Sequence, residues 1–416
     1  MTKDKLAIHG GKPVRGAPFP THTNASGRYI GAEEKQLLME VIDSGCLNRV
    51  GGSMVLRFER EFAALHGMRH GVASTSGSAA LHVSVGALDL EPGDEVITSP
   101  VTDPGTIIGV LLANAVPTFA DVDPKTGNIL ASSIETQITD RTRAIIAVHL
   151  AGRPAQMDEI MTVARRHNLV VIEDCAQSHL AEYRGRLAGT IGDMSFYSFQ
   201  QSKQMTTGDG GIMMTNDDRL AERARLFADK AWPRECTPRD HLFLAPNYRM
   251  TDLQGAVGVA QTHKLQAIVD ARRASASLML SALRGVEGIC LPELSSDETS
   301  SWYFFPIWID HQVLDVTPTA FQAALAAEGI PSQVGFMVRS LLDYTFMRER
   351  RTYGRSQCPW SCPHTRPGIE YREEDYPGAR AAVSEPIALP WNEGIGSADV
   401  EDAAEAVRRL ALEFRR

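Results

Sequence analysis

Two residues of opposite charge, Asp174 and Lys203, have the types and positions that could hold a cofactor together. Asp174 ends the apolar run LVVIED, and Lys203 follows the run DMSFYSF inside the polar loop SFQQSKQMTTGDGG. A carboxylate that faces a pyridine nitrogen keeps it protonated, and a lysine can hold an aldehyde as a Schiff base. The pair is the minimum apparatus for pyridoxal 5'-phosphate (PLP), although an isolated Asp and Lys are more often a helix cap and a solvated charge.

Three further elements could bind a phosphate. The string STSGSAAL places a Ser-Gly-Ser turn between a strand and a helix, where free N–H groups and the helix dipole face an anion. A serine before the lysine adds a hydroxyl at the same edge, and the glycines of TTGDGG permit close backbone approach. Each element alone is more often a capped helix or a turn, but together they predict a phosphate-bearing cofactor. The residues are Ser76, Gly77, Ser78, Ser198, Gly208, Gly210 and Gly211.

A parallel sheet is needed to bring these residues to one edge, and the sequence predicts one. From 69 to about 230, seven apolar runs alternate with stretches of helix length. The runs are HGVAST, DEVITS, VPTFADV, RAIIAVHLAG, LVVIEDC, DMSFYSF and GGIMMTN. Such alternation is typical of a mostly parallel sheet with helices on both faces, and ligands bind at the carboxyl ends of its strands.

After a helical stretch at about 250–283, the pattern of apolar runs changes, and the new pattern predicts a second, smaller α/β domain. It contains VEGICLPEL, WYFFPIWID and the helical patterns TPTAFQAALAAEG and ADVEDAAEAVRRLALEF. We expect a large cofactor-binding domain over 1–275, with 1–30 as an arm, and a small domain over 276–416. Residues 336–382 are predicted to be an irregular insertion, and long irregular stretches are usually functional or mobile.

The composition fits an ordinary soluble globular protein. The chain has 416 residues, of which 43% are hydrophobic and 22% charged, and a scattered net charge of −9. Because no basic stripe is available for a phosphodiester backbone, no nucleic-acid partner is expected. No apolar run approaches the ~18 residues of a membrane span, and no secretory signal is evident, so a cytoplasmic location without membrane binding is predicted. The six sparse cysteines favour reduced thiols over a disulfide framework.

Three strings of the sequence carry a family resemblance. VIEDCAQSH, GTIGDMSFYSFQQSKQMTTGDGGIMMTND and NYRMTDLQGAVGVAQ resemble, in order and spacing, the signature segments of the DegT/DnrJ/EryC1/StrS sugar aminotransferases. The match runs from about 31 to 260 and resumes at SEPIALPW. The resemblance implies the α/β fold of fold type I PLP-dependent transferases. It also implies that Lys203 is the Schiff-base lysine, that Asp174 pairs with the pyridine nitrogen and that Gln177 hydrogen-bonds the ring hydroxyl.

The same resemblance implies how the phosphate is held. Gly77, Ser78 and Ser198 would bind it within one chain. Asn247 and Arg249, in the string NYRM, look like the residues that reach the phosphate of the neighbouring subunit's cofactor. A homodimer with shared active sites is therefore expected, although a loop arginine by itself is more often solvated.

Two positions depart from the family pattern. Asp103 stands where relatives usually carry an aromatic residue that stacks on the cofactor ring. A loop shifted by one residue, a ring covered by apolar atoms such as those of Ile107, or a polar role for Asp103 are the alternatives. Leu180 replaces a common glycine, so a bulkier pocket or a moved backbone is expected nearby.

Two further groups could carry chemistry, but packing is favoured. His149 and His179 lie near predicted strand ends, and we expect them to pack and hydrogen-bond because the lysine is already a mobile proton carrier. Cys358, Cys362 and His364 match zinc spacing poorly, since no second ligand pair follows them. No metal is predicted.

The predicted activity is the transfer of an amino group from glutamate or glutamine to a keto-sugar or keto-cyclitol, in natural-product or surface-sugar biosynthesis. The opening LAIHGGKPVRG resembles that of scyllo-inosose-type aminotransferases, which favours a cyclitol ketone. Two alternatives remain: another PLP-dependent reaction, such as dehydration or aromatisation, and a non-catalytic regulator that binds PLP. The presence of Lys203 argues against the lysine-free dehydratases.

Overall fold

The computed structural model, which describes residues 5–416, alternates strands and helices over the region where the sequence predicts them. Its strands are β1 (His70–Ser74), β2 (Glu95–Thr98), β3 (Val116–Phe119), β4 (Thr142–Val148), β5 (Val170–Asp174), β6 (Glu182–Tyr183), β7 (Arg186–Leu187), β8 (Met194–Ser198), β9 (Gly211–Thr215), β10 (Ile289–Cys290), β11 (Glu298–Thr299), β12 (Phe304–Ile309), β13 (Gln333–Val334) and β14 (Ile387–Pro390). Its helices are α1 (Ala32–Ser44), α2 (Met54–Leu65), α3 (Gly77–Ala87), α4 (Gly105–Leu112), α5 (Ala131–Gln137), α6 (Met157–His167), α7 (Asp218–Ala228), α8 (Asp252–Leu283), α9 (Pro318–Ala327), α10 (Thr345–Arg348), α11 (Pro377–Ser384) and α12 (Ser397–Glu413).

The seven predicted strands form one sheet, in the order β1-β9-β8-β5-β4-β2-β3. Neighbours from β8 to β3 are parallel, whereas β9 runs antiparallel to both β1 and β8. Ile212 and Met214 of β9 pack in the core beneath α8, and Met213 packs on the opposite face with α3. The predicted α/β fold, mostly parallel with helices on both faces, is confirmed.

Six strands, all except β9, place their carboxyl ends at one edge of this sheet. In the register of the sheet, Asp174 at the end of β5 pairs with Val148 of β4 and Phe196 of β8. β1, β2 and β8 run in the same direction as β5, so the loops that follow Ser74, Thr98 and Ser198 start at the same edge. Ligands of parallel sheets bind at such an edge.

Local sequence explains where the helices next to this edge begin. Ser76 is the N-cap of α3, because its hydroxyl oxygen accepts a hydrogen bond from the Ala79 N–H at 3.1 Å. α8 begins with a capping box, in which the Thr251 hydroxyl accepts from the Gln254 N–H and the Gln254 amide oxygen accepts from the Thr251 N–H.

A second sheet lies beyond α8, in the order β10-β12-β14-β13, with antiparallel pairing throughout. α9 and α12 contribute to its core, and so do Leu6 and Phe19 of the predicted N-terminal arm. α8 continues through position 275, so the predicted division between 1–275 and 276–416 stays a prediction. Among the described residues, no helix is both long and apolar enough to cross a bilayer.

The segment 336–382 is more ordered than the sequence predicts. It contains α10 and most of α11, and its apolar side chains, among them Leu341 and Trp360, form a core with Phe119 of β3. Cys358 and Cys362 are bonded in a disulfide, which corrects the prediction of reduced thiols at these two positions. The other four cysteines are free.

Candidate active site

A cavity of about 520 Å³ lies at the carboxyl edge of the sheet. Seven of the nine predicted cofactor residues line it, and they come from the start of α3, from the ends of β5 and β8, and from the turns that follow these two strands. They are Ser76, Gly77, Ser78, Asp174, Gln177, Ser198 and Lys203. The structure therefore brings together residues that the sequence spreads over more than a quarter of the chain.

Asp174 is a buried carboxylate at the end of β5. Its side chain is 4% exposed, and burial raises its pKa above the ordinary range of a carboxyl group. Oδ2 accepts a hydrogen bond from Thr106 Oγ1 at 2.9 Å, and Oδ1 accepts from the Ala176 N–H at 3.0 Å. Asp174 forms no ion pair with the described residues, and the charge of Lys203 opposes the effect of burial on its pKa without cancelling it. These contacts fix the orientation of the carboxylate, and its negative charge remains available to a cationic ligand.

Lys203 lies in the turn that follows β8. Its backbone N–H donates to the Gln200 carbonyl at 2.9 Å, and its Nζ lies 4.9 Å from the centroid of the Tyr303 ring. The Tyr303 hydroxyl in turn lies 2.8 Å from Ser202 Oγ. Within the described residues the Lys203 amino group forms no ion pair, so it is available to a carbonyl group in the cavity.

Two of the three predicted phosphate elements, the Ser-Gly-Ser turn and Ser198, line the cavity. A Cβ on Gly77 would lie 2.7 Å from the Cβ of Ser198, so only glycine lets the first turn of α3 approach the end of β8 this closely. Ser78 and Ser198 line the cavity from these two elements. The Ser76 hydroxyl, by contrast, caps α3, which leaves chiefly its backbone to an anion.

The third predicted phosphate element, the glycines of TTGDGG, does not line the cavity. A Cβ on Gly211 would lie 2.3 Å from the Ser76 carbonyl oxygen, and one on Gly210 would lie 2.3 Å from Thr207 Oγ1. Their smallness serves backbone packing between the start of β9 and the α3 turn. Asp209 lines the cavity instead.

Gln177 keeps one hydrogen-bonding group for the cavity. Its Oε1 accepts from the Ala151 N–H at 2.8 Å, and its carbonyl accepts from Gln204 Nε2 at 2.6 Å. Its side-chain amide nitrogen makes no hydrogen bond to the residues described here by the structure, 5–416, and remains a donor.

The loop after β2 carries no aromatic residue into the cavity. Asp103 lines it, with Oδ1 accepting from the Gly105 N–H at 2.8 Å at the start of α4. Ile107, one expected cover for the ring, is fully buried in the core with β3 and does not line the cavity. Leu180 is also absent from the lining. It adopts a φ of 56° and packs in the core beneath α8.

Asn247 and Arg249 do not line the cavity of their own chain. Arg249 Nη1 pairs with Asp229, and its backbone forms an isolated bridge with Ser74. Asn247 forms a bridge with Asp229. The structure thus separates these two residues from the other seven within one chain.

Both histidines are buried and hydrogen-bonded, which agrees with the packing roles expected of them. His149 is fully buried, with Nε2 2.9 Å from Glu173 Oε2 and Nδ1 accepting from the Ala155 N–H at 2.9 Å. His179 Nδ1 lies 3.0 Å from Gln204 Oε1, and desolvation lowers the pKa of His179 well below its usual range. The paired sulfurs of Cys358 and Cys362 cannot both be metal ligands as thiolates.

Sequence reasoning missed the far side of the cavity. Thr106 follows a predicted strand and could have been found by the strand-end rule that found Asp174. The others come from β12 and the residue before it, from β13 and from the loop after β13, and no pattern in the sequence linked them to Lys203. They are Tyr303, Phe304, Gln333, Phe336, Met337 and Val338.

Comparison with known proteins agrees with this geometry. The model of the DegT/DnrJ/EryC1/StrS aminotransferase family matches residues 28–408. The chain is 33% identical over 391 residues to the spore coat polysaccharide biosynthesis protein SpsC of Bacillus subtilis, covering 92% of this chain and 95% of SpsC. It is 35% identical over 342 residues to the L-glutamine:2-deoxy-scyllo-inosose aminotransferase of Streptoalloteichus tenebrarius, covering 78% and 80%.

A solved structure adds the fold to this likeness. DesV of S. venezuelae superposes with a TM-score of 0.79 at 28% identity, covering 91% of this chain and 94% of DesV. The family resemblance predicted from the three signature strings is confirmed over nearly the whole chain. The chain belongs to the DegT/DnrJ/EryC1/StrS aminotransferase family.

Proposed function

We propose that the chain is a PLP-dependent aminotransferase that moves an amino group from glutamate or glutamine to the ketone of a sugar or cyclitol. One observation carries the proposal: a single cavity holds a lysine amino group and a buried carboxylate, and neither forms an ion pair with any residue from 5 to 416. The name of the S. tenebrarius relative, which specifies a glutamine donor and a deoxy-scyllo-inosose acceptor, supports both substrate classes.

The residues of the cavity fit PLP. Asp174 forms no ion pair within the described part of the chain, and a protonated pyridine nitrogen would provide the cation. The first turn of α3 and the Ser78 and Ser198 hydroxyls offer donors to a phosphate dianion at a helix N-terminus. The free amide nitrogen of Gln177 is a donor for the ring hydroxyl.

Bound PLP would supply an electron sink for the carbanion that forms when an amino acid loses its Cα proton. Lys203 would bond the aldehyde carbon at rest and, once released, act as the base that carries this proton. The Tyr303 ring limits the directions in which Nζ can move. Asp174 would stabilise the positive charge on the pyridine nitrogen of PLP. Because Thr106 and Ala176 donate hydrogen bonds to its carboxylate, that carboxylate needs little reorientation during the reaction.

The test of this proposal is an absorbance spectrum of the purified protein with PLP. We expect a visible band that bleaches on addition of glutamate or glutamine and returns with a keto-cyclitol or keto-sugar acceptor. Lys203→Ala should lose the band, while Lys125→Ala, at an exposed lysine, should keep it. A borohydride-reducible adduct at another lysine in Lys203→Ala would contradict the assignment.

The same spectrum separates the two alternative functions. A regulator that binds PLP would show the band but would not bleach with any amino donor. A dehydratase or aromatising enzyme would consume the ketone without an amino donor and without forming an amine.

A shared site in a homodimer forms the second part of the proposal. Asn247 and Arg249 lie outside the cavity of their own chain, which agrees with binding to the phosphate of the cofactor in a partner subunit. Mixing inactive Lys203→Ala with inactive Arg249→Ala under subunit exchange should then restore partial activity, because one hybrid site has both residues intact. A fully active monomer in sedimentation, or no rescue despite proven exchange, would contradict the shared site.

A further inference from the structure

Three charged side chains are buried together beside the lysine turn. Arg28, from the end of the predicted N-terminal arm, and Arg272, from α8, both pair with Glu393, which follows β14. The side chains are exposed by 1% or less. Arg28 Nη1 lies 3.2 Å from Glu393 Oε1, and Arg272 Nη2 lies 2.8 Å from Oε2.

Arg28 also contacts the backbone on both sides of Lys203. Its Nη2 donates to the carbonyl of Gln201, and its Nη1 lies 3.4 Å from the carbonyl of Gln204. Gln204 in turn contacts a cavity residue, because its Nε2 donates to the backbone carbonyl of Gln177 at 2.6 Å. The guanidinium therefore joins the two ends of the lysine turn to each other and, through Gln204, to a second cavity residue.

The chemistry of arginine explains why this position carries one. Its planar group presents several N–H donors in a fixed fork, so one side chain can hold two carbonyls and a carboxylate at once. Burial of charge is costly, and an apolar cluster of the same volume is often no less stable. What an apolar cluster would lack is the set of hydrogen bonds to the Gln201 and Gln204 carbonyls.

We infer that Arg28, held by Glu393, is a positioning residue for Lys203. Its hydrogen bonds fix the turn from which the Lys203 amino group projects, and a reactive group displaced by about 1 Å can lose up to ~100-fold in rate. The inference rests on the proposed function only in taking Lys203 as the reactive amine.

The test measures the reactivity of Lys203 in the full chain without PLP. Salicylaldehyde with cyanoborohydride labels lysines through imine formation, and peptide mass spectrometry compares the rate at Lys203 with that at exposed Lys125. We expect Arg28→Met to slow labelling at Lys203 by at least ~10-fold relative to Lys125, within the range that misplacement can cause. Arg28→Lys, which keeps the charge and can reach one carbonyl, should recover part of this rate.

A matched control separates positioning from general loosening. Arg15 lies on the same arm and pairs with Asp399 and Asp402 at 2.8 Å, but it contacts no residue of the lysine turn. Arg15→Met should lose thermal stability yet leave labelling at Lys203 within about twofold of the unmodified chain. Equal slowing in Arg15→Met, or unchanged labelling in Arg28→Met, would overturn the inference. If Arg28→Met does not fold, Glu393→Gln, which keeps the acceptor but removes the charge, must slow labelling by severalfold for the inference to stand.

With PLP added, the same variants separate this inference from the proposed function. Positioning predicts a lower kcat for Arg28→Met, with the KM values for donor and acceptor little changed. If the unmodified chain forms no absorbance band and transfers no amino group, the proposed function fails, while the labelling at Lys203 still decides the role of Arg28.

Discussion

The two walls of the cavity are built in different ways. The inner wall consists of strand ends and the turns that follow them, with Asp174 and Ser198 4% and 7% exposed. The outer wall consists of side chains from β12, β13 and the loop after β13, and at its rim Val338 is 72% exposed. The inner wall is tied by hydrogen bonds to the sheet, whereas Phe304, Phe336 and Met337 offer mainly apolar contact.

This difference indicates a division of labour. A wall fixed by sheet hydrogen bonds suits a group of constant shape, such as a cofactor. A wall made by loop side chains can change its shape by substitution without disturbing the sheet, which is where specificity usually resides. Changes in the inner wall should therefore affect the chemical step, and changes in the outer wall should affect the choice of acceptor.

The largest effect is expected from Asp174→Asn. Loss of a charge aimed at the reacting system should slow amino transfer by at least ~100-fold. Because burial raises the pKa of Asp174, its ionised form destabilises the cofactor-free fold, and the amide should raise the melting temperature measured without PLP.

Asp140→Asn is the control for this comparison, since Asp140 is exposed and lies outside the cavity. It should change neither rate nor melting temperature appreciably. If Asp174→Asn turned over as fast as the unmodified chain, the pyridine nitrogen of PLP would have to face another residue. The inner wall would then not be where the charge of that nitrogen is held.

A smaller and different effect is expected from Met337→Ala combined with Val338→Ala. Removing apolar contact that binds substrate and transition state alike should raise the acceptor KM by about fivefold with little change in kcat. Single-turnover measurement with the amino donor alone should give the rate of the unmodified chain. A slower donor reaction would mean that the outer wall also positions the cofactor and that the two walls do not divide the work.

The smallest effect on catalysis is expected at a site far from both walls. His263, on α8, lies between Glu33 at 2.6 Å and Glu61 at 2.8 Å, and its hydrogen bond to Glu33, with that to Glu61, raises its pKa above the ordinary histidine value. The stabilisation is complete where the unfolded histidine is also protonated, and it is lost as pH rises through the higher folded pKa.

His263→Gln should accordingly lower the free energy of unfolding in urea at mildly acidic pH, with the deficit shrinking above neutral pH. The transfer rate of the folded enzyme should not change. A pH-independent deficit would assign the loss to packing between α1, α2 and α8 rather than to charge.

The same contrast between walls explains what the sequence could predict. Asp174, Ser198 and Lys203 each follow a strand with a clear apolar pattern, so local reading and the strand-end rule were enough to bring them together. Tyr303 and Gln333 reach the cavity only through the packing of a second sheet against the first. That packing depends on contacts between residues more than a hundred positions apart, which no local period records.

Within the inner wall, the errors concern how a residue type is used. Ser76 and Gly211 have the composition of an anion-binding site, but the serine hydroxyl is engaged in capping and the glycine in backbone packing. No feature of the sequence distinguishes Arg28, because a single arginine in an arm is usually solvated. The disulfide between Cys358 and Cys362 was not predicted for a similar reason. Cysteines that are sparse in a sequence are usually reduced, although the local geometry permits a bond between these two.

Antiparallel β9 has a consequence for the order in which the site is assembled. β8 and β9 form a hairpin, with Ser198 opposite Gly211, so the turn bearing Lys203 closes between near neighbours in sequence. The contact of Ser74 with Gly211, which brings the α3 turn to it, spans a far longer loop. Short loops close with less loss of chain entropy and form sooner. A folding chain, and any partly opened native state, should therefore possess its lysine hairpin before it possesses the anion-binding turn.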